Sequence, residues 1–462
     1  MATQLAVQDT AEDGTRSSVR LYGVFWRWHF FAAAIVIPFV LWQSVTGSAY
    51  LWSEWWMDYS HPELRFVRPA ETHAAPGAQV AAALSFAGEG SGPRETVQAA
   101  HTPSMPMQMS QGHRSHEQAL RAQSVASILL SDDPRRSTIV LLQAADGLPY
   151  PVFVDPHDAR VLGTLPPAAW MPGITRALHG GWPIKPAGSW LLELGDGWAL
   201  VMLLTGLYLW WPRGRGFIAA LWPRTGAGLR VLLRDLHGCV AVWFSAILMF
   251  FLISALPWTD FWGNHVLAAL EAATGQSSPA GFSNGGASAA QMRASLPSLD
   301  EAVLATRRAG VTGTLDVRLA PAQGAPLFIT NTHALPWADR TLLAGAATGA
   351  LTGVFANSDL PLIPRLVAIG VHVHQGDLGA VNRWLNTAFA MALIWLSVTG
   401  LISWWTRRPG RGLAAPPKAR VALPRGVLAI AAVICVALPL LGASVVCIAA
   451  LERTLRAVRP VR

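Results

Sequence analysis

Four histidines stand at matched places in a repeated pattern, and imidazoles in matched pairs are equipment for holding metal. His29 precedes Thr46 by 17 residues and His237 precedes Ser254 by 17, each at the head of a long apolar run. His179 precedes Thr205-Gly206 by 26 residues and His374 precedes Thr399-Gly400 by 25, each ahead of another apolar run. Imidazole serves as a metal ligand, a general base or a proton carrier. A zinc site wants about four ligands converging at one place, commonly with cysteine or carboxylate. A membrane proton relay wants Asp or Glu inside the helices, and here Glu193 and Asp196 sit only near the outer end of one run. Two imidazoles on different helices at one depth suit a six-coordinate haem, one axial ligand on each face. The pattern therefore predicts two bis-histidine haem b sites, His29 with His237 and His179 with His374. His372 is the alternative to His374, lying 27 residues before Thr399. His374-Gln375-Gly376 shares His-x-Gly with His179-Gly180-Gly181, which favours His374. The two pairs are about 25 Å apart along a helix, from 17 residues at ~1.5 Å each.

The elements that must carry these histidines are membrane helices. The chain is 52% hydrophobic and 13% charged, against ~25% charged in soluble proteins. Runs at 26–52, 191–211, 236–258, 384–405 and 427–451 meet the ~20-residue requirement for a span. Arginines crowd the loops 212–235 and 406–426, so the positive-inside rule places both loops, and the tail 1–25, in the cytoplasm. Residues 53–190 and 259–383 are then outside. Arg453, Arg456, Arg459 and Arg462 in the tail 452–462 conflict with this, because a fifth span would carry them outside. The net charge of +8 is a topology signal, and no motif points to nucleic acid. Cys239, Cys435 and Cys447 all fall in apolar runs, leaving no disulfide framework. The first run is long and ends in tryptophans, as expected of an uncleaved helix rather than a signal peptide.

The chain is duplicated. Thr205-Gly206-Leu207-Tyr208-Leu209-Trp210-Trp211-Pro212-Arg213 recurs as Thr399-Gly400-Leu401-Ile402-Ser403-Trp404-Trp405-Thr406-Arg407, and Thr46-Gly47 is matched by Ser254-Ala255. The repeat itself is expected to pack helices. Gly47, Gly206, Gly238 and Gly400 suit either close helix packing or the approach of a flat cofactor. Each half reads as helix, outer region, helix. In the outer regions, Phe153 to Gly163 and Leu343 to Gly353 read as equivalent hairpins, and Glu117 to Leu130 and Ser298 to Arg308 as amphipathic helices. Ala70 to Pro103 and Gly275 to Ser298 read as linkers. His101, Met105, Met107, Met109, His113 and His116 lie together in one insert, 101–116; they form either a copper site or a disordered stretch of biased composition.

Trp26-Arg27-Trp28-His29, Leu178-His179-Gly180-Gly181, Thr205 to Arg213, Asp235-Leu236-His237-Gly238 and Val373-His374-Gln375-Gly376, in that order, resemble the PepSY-associated transmembrane helix family. The resemblance covers about residues 20 to 410 and leaves the fifth run outside. It implies an α-helical integral membrane protein: duplicated helix, outer domain, helix units forming a four-helix core, a fifth helix, and two small α+β PepSY-like periplasmic domains at about 116–166 and 298–356. The second hairpin lacks the Asp-Pro of the first, so that domain is read as degenerate. The resemblance further implies a multi-pass protein of the bacterial inner membrane, akin to ferric-siderophore reductases, with His29, His179, His237 and His374 as haem ligands. The expected substrate is a ferric-siderophore or other ferric chelate, and the expected activity is that of an oxidoreductase acting on metal ions. No Rossmann fingerprint, P-loop or Cys-x-x-Cys-His occurs, so the electron donor is a quinol or a cytoplasmic reductase. The alternative is a non-enzymatic membrane protein that binds copper or iron, or a scaffold. Trp182, Trp210, Trp211, Trp404 and Trp405 either line haem pockets or form an interfacial belt.

Overall fold

A computed structural model describes residues 2–88, 124–143, 148–181, 183–214, 216–276, 287–319, 326–332, 340–408, 412, 414–417 and 422–458. In chain order the elements are α1 (Ala2–Leu51), α2 (Ser53–Ser60), α3 (Pro62–Arg65), α4 (Pro76–Gly88), β1 (Ser124–Leu130), β2 (Thr138–Gln143), β3 (Pro149–Val154), β4 (Val161–Thr164), α5 (Met171–His179), α6 (Ala187–Trp210), α7 (Leu229–Trp243) and α8 (Ser245–Ala255). Then follow β5 (Ala287–Ser288), α9 (Leu296–Arg308), β6 (Thr314–Leu319), β7 (Leu327–Thr332), β8 (Arg340–Ala344), β9 (Leu351–Ala356), α10 (Leu362–Gln375), α11 (Ala380–Trp405), α12 (Arg425–Ala437) and α13 (Pro439–Val458). They fall into two units: Met1–Ser48 with His179–Leu270 and Trp384–Arg462, and Ala49–Leu178 with Glu271–Arg383.

The first unit is helical. Leu21–Leu51 of α1, α6 and α11 are each long and apolar enough to cross a membrane. Leu229–Trp243 and Ser245–Trp258 pass the same test only as a pair, bent by 53° between them, the geometry of a broken span or of a re-entrant loop. At the break Ser245 donates its hydroxyl to the Val242 carbonyl at 2.8 Å, a local bond of the kind that bends helices. Large apolar side chains such as Val433, Val436, Val446 and Ile253 face outward, which suits lipid and would be an association surface in water.

The fifth apolar run is not one helix. Pro439 has no N–H to donate and pushes the preceding residue out of helical geometry; Leu438 sits at φ −121°, ψ 82°. The chain doubles back so sharply that a Cβ at Gly442 would lie 2.5 Å from the carbonyl oxygen of Cys435, whereas residues seven apart in a straight helix are ~10 Å apart. Two contacts place the hairpin against its neighbours. The Trp262 indole donates to the Ala437 carbonyl at 2.9 Å while the Trp262 backbone N–H donates to Glu193. Four residues on, Leu441 packs on Gly197. Leu441, in the first turn of α13, thus sets that helix against α6 at Gly197.

The second unit is a nine-stranded sheet of order β4-β3-β2-β1-β6-β7-β8-β9, with β5 beside β1. Segments 53–190 and 259–383 each contribute a four-stranded antiparallel meander, and β1 joins β6 through Ile128↔Val317 and its neighbours. Two separate outer domains were expected; they share one sheet instead, because the junction pairs two strands that would otherwise be open edges. The hairpin equivalence holds to the residue. Phe153 pairs Gly163 and Leu343 pairs Gly353, and each hairpin shifts register at the next pair.

One face of the sheet packs on α4 and α9, with Val80, Ala83, Leu84, Leu299 and Ala302 buried in the core. Residues 76–88, taken from composition as linker, are therefore a core helix: alanine is the strongest helix former, so an Ala-rich stretch reads equally as either. The expected helix over 117–130 is corrected over its described part, since 124–130 is the central strand β1, paired on both sides. Helix α9 falls where expected. The Met/His insert 101–116 lies outside the described residues.

Candidate functional site

Three Thr-Gly steps of the first unit, Thr46-Gly47, Thr205-Gly206 and Thr399-Gly400, each seat a histidine from elsewhere in the chain. His29 on α1 sets its Nδ1 3.2 Å from Thr205 Oγ1 and 3.0 Å from the Met202 carbonyl on α6. His237 on α7 sets its Nδ1 2.8 Å from Thr399 Oγ1 on α11. His179, at the end of α5, sets its Nδ1 3.0 Å from Thr46 Oγ1 on α1. The glycine that follows each threonine takes the edge of the same ring. A Cβ at Gly206 would stand 3.1 Å from His29 Cε1, at Gly47 3.1 Å from His179 Cε1, and at Gly400 3.7 Å from His237 Cε1. Gly238 differs, facing Trp210.

The threonines determine which ring nitrogen carries the proton. A hydroxyl has one proton to give, and each is committed within its own helix: Thr205 to the Val201 carbonyl at 2.7 Å, Thr399 to Trp395 at 2.8 Å, Thr46 to Trp42 at 2.8 Å. With their protons so placed these hydroxyls are set to accept from Nδ1–H, and for His29 the Met202 carbonyl, which can only accept, requires Nδ1 to be the N–H. The lone pair then falls on Nε2, the nitrogen that can bind a metal. This is the arrangement of metal-ligating histidines, whose second nitrogen donates to an oxygen that fixes the ring.

His29 and His237 line one cavity of about 1460 Å³, above the ~300–1,000 Å³ of ordinary small-molecule sites. Its walls include Trp26, Phe30, Leu207, Trp210 and Trp404, and Arg213, Arg230 and Arg407 also border it. Arg213 lies over the rings of Tyr22 and Tyr208, and Arg407 over Trp26. Arg224 is held by Asp235 at 2.6 Å. Two imidazoles, an apolar interior and guanidinium groups fit a flat apolar metal chelate with acidic substituents. Among the described residues no group of three or more His, Cys, Asp or Glu is placed to hold a bare metal ion. Two protein ligands suffice when a macrocycle supplies the other four donors.

His29 and His237 both border this one cavity. His374 and His372 both lie in the last turn of α10, in the second unit; His372 Nδ1 is 3.3 Å from Asp377. Trp182, and the candidate copper ligands His101, Met105, Met107, Met109, His113 and His116, are outside the described residues. Sequence reading treated the Thr-Gly repeat as helix packing and missed Thr46, Thr205 and Thr399 as partners of the histidines. No sequence spacing linked them: the Thr-Gly that follows His179 by 26 residues seats His29, and the one that follows His374 by 25 seats His237.

A family model described as the PepSY-associated TM region matches residues 26–407. The chain belongs to that family. The PepSY-associated match begins three residues before His29, takes in all three histidine seats, and ends before the α12–α13 hairpin. No curated protein matches the chain.

Proposed function

We propose that this protein moves electrons across a bacterial inner membrane through bis-histidine haem b and delivers them to a ferric chelate at its outer unit. The observation that supports this reading is the pair His29 and His237, both bordering one large apolar cavity and both with Nδ1 against a threonine hydroxyl, which leaves Nε2 for a metal. Bound there, haem supplies one-electron Fe(III)/Fe(II) chemistry. His29 and His237 would hold the iron, Trp26, Phe30 and Trp210 would exclude water, and Arg213, Arg230 and Arg407 would offset acidic substituents.

The sequence repeat assigns His179 and His374 to a second haem. In this reading α1, α6, α11 and the bent α7–α8 pair are a four-helix core, the N-terminus is cytoplasmic, and each meander of the sheet is one PepSY-like half. Electrons come from a quinol or a cytoplasmic reductase. Reduction releases the metal because Fe(II) is the poorer partner for hard oxygen ligands such as hydroxamate or catecholate. The test is reconstitution in liposomes with an enclosed reductant and an external ferric hydroxamate, with a ferrous-specific chelator outside. Fe(II) appearing only with haem-loaded protein supports the reading. Haem-loaded protein that yields none refutes the reductase activity.

A further inference from the structure

We infer that Thr399 and Thr205 are positioning residues that set the redox potential and affinity of the iron held by His237 and His29. The inference rests on the haem reading above and adds to it a division of labour within the Thr-Gly repeat.

The argument begins with hydrogen-bond accounting. Because each threonine hydroxyl gives its proton to its own helix, it accepts the Nδ1–H of the seated ring. That bond places partial negative charge beside Nδ1, makes Nε2 a stronger donor, and so favours Fe(III) over Fe(II). It also fixes the ring's rotation. Such outer partners of metal ligands are worth ~10–100-fold in affinity or activity when removed.

The two seats are unequal, and this separates a redox role from a merely structural one. Among the described residues, Thr399 at 2.8 Å is the only hydrogen-bond partner of the His237 ring. His29 divides its Nδ1 between the Met202 carbonyl at 3.0 Å and Thr205 at 3.2 Å. Removing the Thr399 hydroxyl strands a buried N–H. Removing that of Thr205 leaves the shorter bond to Met202 intact.

The test compares Thr399→Val, Thr399→Ser and Thr205→Val in purified protein, by haem content per chain, spectroelectrochemical midpoint potential and the low-spin electron paramagnetic resonance signal. Thr399→Val is expected to raise the potential, weaken haem binding ~10–100-fold and alter the low-spin signal. Thr399→Ser, which keeps the acceptor oxygen, is expected to restore all three. Thr205→Val is expected to move the potential in the same direction by less. Wild-type potential and haem affinity in Thr399→Val, or a larger effect at Thr205 than at Thr399, overturns the inference while the haem reading stands. Should Thr399→Val fail to assemble, the smaller upward shift in Thr205→Val, with Thr399→Ser unchanged, carries the test. Wild-type protein without haem overturns both.

Discussion

Replacing the seat glycines by alanine should weaken haem binding in an order set by distance. At Gly206 the new methyl would stand 3.1 Å from His29 Cε1, inside the ~3.5–4.0 Å of a relaxed carbon pair. The ring must therefore retreat by about 0.5 Å. Its bonds of 3.0 and 3.2 Å to Met202 and Thr205 then lengthen, and the longer one leaves the ~2.7–3.2 Å range of a sound hydrogen bond. A lost bond of this kind costs about 0.5–1.5 kcal/mol, which is roughly 2- to 12-fold in affinity at 1.4 kcal/mol per decade. At Gly400 the methyl would meet His237 Cε1 at 3.7 Å, an ordinary contact, and the expected change is near zero. Both substitutions gain about 1 kcal/mol of helix propensity, which drops out of the comparison. The assay is titration of haem, followed by its Soret absorbance, into apoprotein made under haem limitation. Gly400→Ala weakening haem binding as much as Gly206→Ala would refute the reasoning.

Three further outcomes follow from other parts of the molecule. Asp58 accepts from Arg65 at 2.9 Å and from Arg136 at 2.7 and 2.8 Å, and Arg65 is only 6% exposed; burial pushes the Asp58 carboxyl up, but these hydrogen bonds outweigh it and hold the group below its usual range. Asp58→Asn should lower the unfolding midpoint by the equivalent of about 1–3 kcal/mol, less than the ~3–5 kcal/mol of a fully buried broken pair, because Glu54 still pairs with Arg65; an unchanged midpoint contradicts this. His157 donates from both ring nitrogens, to the carbonyls of Pro134 and Thr72 at 2.9 Å each, and these bonds raise its pKa. Its contribution to stability should be complete below the unfolded value of ~6.5 and be lost as pH rises through the folded one, so melting against pH should flatten in His157→Gln. Finally, because α13 turns back alongside α6, a reporter fused after Arg462 should lie on the same side as one in the 212–228 loop; alkaline phosphatase activity at the C-terminus, with none in that loop, refutes the hairpin.

What the sequence made legible was whatever depends on local pattern. Apolar length marked the long helices, the 17-residue spacing matched His29 to His237, and flanking turn residues aligned Phe153–Gly163 with Leu343–Gly353. What it hid depends on partners far along the chain. Ser124 to Leu130 becomes a strand because β2 and β6 flank it, and Pro76 to Gly88 becomes a core helix because the sheet offers an apolar face. The break at Pro439 was visible as a proline inside an apolar run, yet hydropathy alone merges the two helices. It also removes the premise of the charge conflict, since no single fifth span carries Arg453 away from Arg425. The threonine seats were hidden for the same reason: a hydrogen bond from His29 to Thr205 spans 176 residues.

The most direct test of the haem assignment is a reduced-minus-oxidised absorption spectrum of the purified protein beside His29→Ala and His237→Ala. The wild type should show sharp b-type Soret and α bands, and each variant should lose the same haem while keeping the other. A wild-type spectrum without these bands, or two variants that both retain the full wild-type spectrum, would contradict the assignment.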